Sequence, residues 1–188
     1  MATKKSDTQE LTFNDFKSSV LRDYKLACES REMSLMGRRE VLSGKGSFGI
    51  FGDGKELPQP ALARFFKPGD WRSGYYRDQT LLLALGQLTP EQFFAQLYAD
   101  SNPDNEPHSS GRQMNCHFSS QFIDENGQWL DQTKSFNIAS DISPTGGQMA
   151  RLLGLGYASK IYKDLMAKEQ IGQNLFSKKG QEVAFGMI

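Results

Sequence analysis

Immediately after the pair Gly146-Gly147, the apolar residues Met149, Leu153, Tyr157, Ile161 and Leu165 recur every four positions. A repeat of that period draws a single apolar stripe along an α-helix, and a single stripe has to be covered by something. A polar link from Gly172 to Gly180 then leads to Glu182-Val183-Ala184-Phe185-Gly186-Met187-Ile188, which reads as a buried strand. The expectation is a helix packed by one face on a sheet that contains this strand. That arrangement defines an α/β protein, a parallel sheet flanked by helices.

The rest of the chain adds elements to this frame. Phe13, Phe16, Val20 and Tyr24 lie at helical spacing with Thr12 or Asn14 as the cap, and a second helix is expected from Arg31 to Leu42, ending at Gly44 and Gly46. Residues 11–44 therefore form a helical extension behind a disordered polar tail over 1–10. Ser47 to Phe51 reads as a short strand, and Pro58 and Pro60 suit the first turn of a helix running to Phe66. Trp71 to Arg77 reads as extended, with Asp78 capping a helix through Leu85. Thr89-Pro90-Glu91-Gln92 carries a threonine cap, a proline at the first helical position and a glutamine placed to close a capping box. Asp100 to Ser110 is an exposed loop in which His108 faces solvent, and Asp124-Glu125-Asn126-Gly127 is a hairpin tip.

With 188 residues, 38% of them hydrophobic, a single domain over 1–188 is expected, burying about 70% of the surface of the unfolded chain. The 22 basic and 22 acidic residues cancel, so no net field draws the protein to a nucleic acid or an anionic membrane. Cys28 and Cys116 have neither disulfide-framework nor zinc-site spacing, which fits a reducing cytoplasm. No apolar core follows the first lysines, and Leu81-Leu82-Leu83-Ala84-Leu85 is too short to span a bilayer. A soluble cytoplasmic protein is the expectation.

Three segments carry chemistry. In Gly74-Tyr75-Tyr76-Arg77-Asp78-Gln79-Thr80 a guanidinium and a phenol stand at the end of an extended piece, where Arg77 can clamp two phosphate oxygens and Tyr76 can donate a further hydrogen bond. Taken alone, the pair also reads as part of a surface ion pair. Gly111-Arg112-Gln113-Met114-Asn115-Cys116-His117 ends in a histidine able to hand a proton to a developing carbanion or carbonyl oxygen, or to serve as a structural residue. Ser143-Pro144-Thr145-Gly146-Gly147-Gln148 has little side-chain bulk before a helix start, leaving main-chain groups open to a ligand or ion. Two glycine-rich strings are set aside. Gly44-Lys45-Gly46-Ser47-Phe48-Gly49 follows a helix and opens a strand, the reverse of a dinucleotide fingerprint, and Gly52-Asp53-Gly54 lacks the asparagine that a magnesium motif needs downstream.

From about Leu26 onward, these segments resemble the alpha side of the thiamine-diphosphate-dependent decarboxylating component of 2-oxo-acid dehydrogenase complexes, branched-chain type. The resemblance implies an incomplete thiamine-diphosphate-binding fold with a helical N-terminal extension. Tyr76 and Arg77 would hold the diphosphate of thiamine diphosphate, Ser143 and Thr145 would line the cofactor, and His117 would be the active-site histidine. Ser143, Pro144, Thr145 and Gln148 would be candidates to ligate a structural potassium, although Gly147 stands where the branched-chain pattern has a threonine hydroxyl. The family's magnesium motif begins directly after the strand matched by Val183 to Ile188, so the magnesium ligands are expected outside this sequence. The implied partners are a beta subunit, or a beta half of the same polypeptide, and a lipoyl acyltransferase, in an oligomer. The implied reaction is decarboxylation of a branched-chain 2-oxo acid such as 2-oxoisovalerate with acyl transfer to a lipoyl group; the 188 residues alone are expected to be inactive. The competing expectations are a non-enzymatic assembly or binding module, recognised by an apolar patch left open around Val183 to Ile188, and a small-molecule anion binder using Arg77 and Arg112.

Overall fold

The computed structural model describes residues 12–187; the disordered tail expected over 1–10 lies outside them, as does Ile188. Helix α1 runs from Phe13 to Leu42 and is capped by Thr12, which accepts from Asp15 N while the Asp15 carboxylate bonds back to Thr12 N. Two helices were expected here, but the segment between Tyr24 and Arg31 contains no glycine or proline to break the ladder, and the helix continues through it. Its buried face consists of Ala27, Ser30, Met33, Ser34 and Gly37. Small residues there let neighbours approach closely: a Cβ on Gly37 would sit 2.5 Å from the Phe51 ring. Ser43 caps the C-terminus and Gly44 follows at φ +79°, the left-handed position that glycine adopts most easily.

Ser47 to Phe51 does not form a strand. Its backbone is satisfied by a side chain instead: the Asn115 amide donates to Ile50 O at 2.9 Å and accepts from Ile50 N at 3.1 Å, taking the place of a neighbouring strand. Helix α2 spans Pro58–Ala63, β1 Trp71–Ser73, α3 Gln79–Ala84 and α4 Pro90–Leu97. Helix α4 has the capping box written in its sequence, with Thr89 and Gln92 bonding reciprocally. The extended segment expected to reach Arg77 stops at Ser73, after which the chain turns. Asp124 to Gly127 forms the expected tip, closed by a Gly127 N to Asp124 O bond and the Ile123–Trp129 antiparallel bridge.

Strand β2, Asn137–Ala139, helix α5, Gly147–Ala167, and β3, Ala184–Phe185, complete the fold. The sheet has the order β2-β1-β3, and both pairings are parallel, with Arg72 level with Ile138 on one side and Phe185 on the other. Leu81, Leu82, Phe93, Phe118 and Ile138 fill the core beside it.

Helix α5 packs on this sheet with a face that mixes polar and apolar side chains, and the middle of the apolar stripe is left out of it while its ends, Met149 and Leu165, are half-buried. Gln148 is buried and Arg151, Leu152 and Ser159 are half-buried, whereas Leu153 and Tyr157 from the apolar stripe are 76% and 62% exposed. The reason lies in what the short strands offer. Ser73 Oγ donates to Gln148 O at 2.9 Å and accepts from Arg151 Nε at 3.1 Å, Gln148 Nε2 donates to Met187 O at 2.7 Å, and Ser159 Oγ donates to Glu182 at 2.7 Å. These bonds turn the middle of the stripe outward.

Between α1 and α2, the Glu56 carboxylate receives Arg31 through two bonds of 2.6 and 2.9 Å and also accepts from Gly54 N at 3.0 Å. The Arg31 guanidinium holds the Glu56 carboxyl below its usual range, so the contribution is present above the unfolded-state pKa and is lost as pH falls through the lower folded-state value. Glu56→Gln is expected to cost about 1–2 kcal/mol at neutral pH, the half-exposed Arg31 keeping it below a fully buried pair. Urea midpoints of the two proteins should converge on acidification below pH ~4; a gap that stays constant with pH would show that the charge is not the source.

Candidate functional site

The carboxyl ends of the three parallel strands share one region of the molecule, and it is there that α/β sheets expose their loops to ligands. Arg72, on β1, organises it. Its side chain is 0% exposed and folds against Gly74, where a Cβ would lie 1.8 Å from Arg72 Cζ, so no other residue fits. The guanidinium donates to Asp78 at 2.8 and 3.2 Å, to Asp141 at 3.2 Å and to Tyr75 O at 3.2 Å, with a second contact to Asp141 of 3.1 Å. Each carboxylate holds another loop: Asp78 accepts from Tyr75 N and Asp141 from Phe118 N, both at 3.1 Å. Asp78 was expected to cap α3, but its side chain makes no cap bond because Arg72 and Tyr75 take it. Burial pushes the Asp78 carboxyl up even beside Arg72, while Asp141 and Asp78 keep the guanidinium protonated against the same burial.

The loops so held bring hydroxyl and imidazole groups together. The Tyr75 hydroxyl donates to that of Tyr76 and lies 2.9 Å from Thr145 Oγ1. This sharing sets the two phenols apart: the Tyr75 hydrogen bond lowers the pKa of Tyr76, and burial raises that of Tyr75. The Tyr76 ring stacks at 6.1 Å and 21° to the imidazole of His117, whose Nε2 is 2.8 Å from Ser143 Oγ and whose Nδ1 is 3.1 Å from Asn115 O. Arg77 is exposed, with its guanidinium carbon 5.6 Å from the Tyr76 ring centre, and among the described residues it forms no ion pair. Beside it lies a cleft of about 510 Å³ lined by Lys55, Pro58, Gln59, Tyr75, Arg77 and Met187, among others, a volume within the range of small-molecule sites. Gln59 fixes the backbone there, donating to Arg77 O at 2.9 Å and accepting from Leu81 N at 2.8 Å.

Of the residues singled out in the sequence, Tyr76, Thr145, His117 and Ser143 are linked in this way and Arg77 flanks them. Pro144 is exposed and its carbonyl accepts from Gly147 N at 3.0 Å. Gln148 is fully buried, its amide nitrogen spent on Met187 O and its Oε1 without a partner, while Ser143, Pro144 and Thr145 are exposed. Arg112 is exposed and Asp53 pairs with Arg38 at 2.6 Å. His108 is not solvent-facing as expected: it is half-buried, its Nδ1 is 3.0 Å from Ser119 O, it meets the Phe118 ring edge-on, and burial lowers its pKa. Cys116 is buried at φ +60°, and burial pushes its thiol up, which makes it inert. Sequence reasoning missed Arg72, Asp78, Asn115 and Asp141 as the groups that hold the site. The one local signal was an arginine two residues before a glycine in a strand.

No family model matches the chain. Among the described residues, no group of three or more His, Cys, Asp or Glu side chains could hold a metal ion, and no helix is long and apolar enough to cross a membrane. Replacing Arg72 by Met would leave Asp78 and Asp141 buried without a cation. The expected loss is about 3–5 kcal/mol, read as a lowered urea midpoint, and the near-ultraviolet circular dichroism of the Tyr75–Tyr76 pair should change with it. A variant as stable as the parent would show that these carboxylates are accommodated in some other way.

Proposed function

We propose that this chain is the cofactor-anchoring part of a thiamine-diphosphate-dependent 2-oxo-acid dehydrogenase of the branched-chain type, acting on acids such as 2-oxoisovalerate. The observation that carries the reading is the linkage of Tyr76, Thr145, Ser143 and His117, from three separate segments, at the carboxyl ends of parallel strands and next to Arg77, which has no ion-pair partner among the described residues. These residues suit a diphosphate: a guanidinium without a carboxylate partner can clamp its oxygens, and Tyr76 and Thr145 hydroxyls can donate to it. Thiamine diphosphate, when bound, supplies the electron sink for loss of carbon dioxide. The chain's own residues anchor it, place His117 near the reacting atoms and keep Arg77 available for the anion.

Magnesium would take its ligands from outside the described residues, since among the described ones no group of three or more His, Cys, Asp or Glu side chains could hold it. A potassium ion would have to draw on the carbonyl and hydroxyl oxygens of Ser143, Pro144 and Thr145 together with the unpartnered Gln148 Oε1. The partners in this reading are a beta subunit or beta half and a lipoyl acyltransferase. The outward stripe of α5 and exposed Val183 give a beta partner apolar surface to cover, and the same surface supports the second reading, an assembly module without chemistry of its own.

Calorimetric titration with thiamine diphosphate and with inorganic pyrophosphate tests the proposal. Thiamine diphosphate is expected to bind more tightly than pyrophosphate, and Arg77→Ala should weaken it at least about tenfold, roughly 1.4 kcal/mol. Equal affinity for both ligands would reduce the site to a simple anion binder, and binding that ignores Arg77 would remove the reading. In the same preparations the chain alone should show no decarboxylation of 2-oxoisovalerate; measurable turnover would contradict the need for a complementary half-site.

A further inference from the structure

We infer that Ser143 and the Asn115 carbonyl are positioning groups that hold His117 as a base, protonated on Nδ1, with its lone pair reaching the surface through the Ser143 hydroxyl. A carbonyl oxygen can only accept a hydrogen bond, so the 3.1 Å contact between His117 Nδ1 and Asn115 O requires the proton on Nδ1. In the neutral ring Nε2 is then the acceptor, and the group 2.8 Å away is a hydroxyl able to donate to it. His117 itself is 3% exposed, whereas Ser143 is exposed. The main chain of His117 is fixed too, its carbonyl accepting from Gln96 Nε2 at 2.8 Å, and Tyr76 lies over the ring face.

This arrangement is a proton relay. As Ser143 Oγ takes a proton from a hydroxyl group of the bound reactant, its own hydroxyl proton passes to His117 Nε2. Reversal returns a proton to the reactant's oxygen, and no electrons change hands. The identity of the reactant, a 2-oxo acid with a carbonyl oxygen that must gain and lose a proton, rests on the function proposed above; the relay geometry does not.

The chain contains two histidines, which makes nitrogen NMR of these 188 residues with labelled imidazoles direct. His108 is an internal reference, because its Nδ1 also faces a carbonyl oxygen, Ser119 O at 3.0 Å, while its Nε2 has no partner. At a pH where both rings are neutral, both should carry the proton on Nδ1, and the Nε2 resonance of His117 should lie upfield of that of His108. Ser143→Ala should move the His117 signal toward the His108 position, Ser143→Thr should restore it, and His108 should stay in place as the sign of an intact fold. A proton on His117 Nε2, or an Nε2 resonance indifferent to Ser143→Ala, would overturn the inference. The expected signature in a protein that fails to bind thiamine diphosphate would support the relay and sink the cofactor reading separately.

Discussion

A single buried guanidinium sets the geometry on which the rest of this structure depends. Arg72 is held between Asp78 and Asp141, and each of those carboxylates also receives a backbone N–H from the loop beside it. Taking three charges out of water is costly, and an apolar core of the same volume would be at least as stable. The arrangement does something a hydrophobic contact cannot: directional bonds fix the loops after β1 and β2 and the segment around Phe118 in one mutual orientation. Tyr75 and Tyr76 ride on the first of these loops, Ser143 and Thr145 on the second, and His117 adjoins Phe118. Gly74 is the steric condition for all of it, since any side chain there would displace the guanidinium.

The same logic extends through a set of buried amides. The strands are only two or three residues long, so much of the backbone outside the helices has no ladder to join and must find partners elsewhere. Gln79 donates to Ser30 and Ser34 and accepts from Gly52 N; Gln59 bridges Arg77 O and Leu81 N; Asn137 donates to Asp70 O and Gln132 O. Glu106 accepts from the backbone of His108, Ser109 and Gly111 and from the Ser109 hydroxyl, closing a loop without regular structure. Irregular backbone is stabilised here by side chains chosen for hydrogen bonding rather than for volume.

That design explains what could be read from the sequence. The capping box at Thr89, the glycine after α1, the Asp124–Gly127 tip and the parallel α/β class depend on signals within a few residues or on composition, and they were legible. The Ser47–Phe51 segment was not, because its partner is a side chain 65 residues away from Ile50. The stripe on α5 was read correctly as a stripe, but its middle is not the packed face, since periodicity reports amphipathicity but not which side hydrogen bonds will claim. The candidate site divides in the same way. Its outward groups stand in short motifs, while the pairing of Arg72 with Asp141 spans 69 residues and leaves no local trace.

The stripe's exposure also ties the site to whatever covers the helix. Leu153, Tyr157 and Ile161 form a contiguous apolar line that no described element shields, and such a surface costs free energy until it is buried. The helix that carries it begins at Gly147, directly after the left-handed Gly146, which itself follows Ser143-Pro144-Thr145. Its inner face is held by polar bonds to Ser73 and Met187, which are directional but few. A partner pressing on the outer face would therefore clamp α5 from the opposite side and steady the turn from which Thr145 meets the tyrosines and Ser143 meets His117. Assembly and ligand binding would then reinforce one another through one helix, without a separate element to connect them.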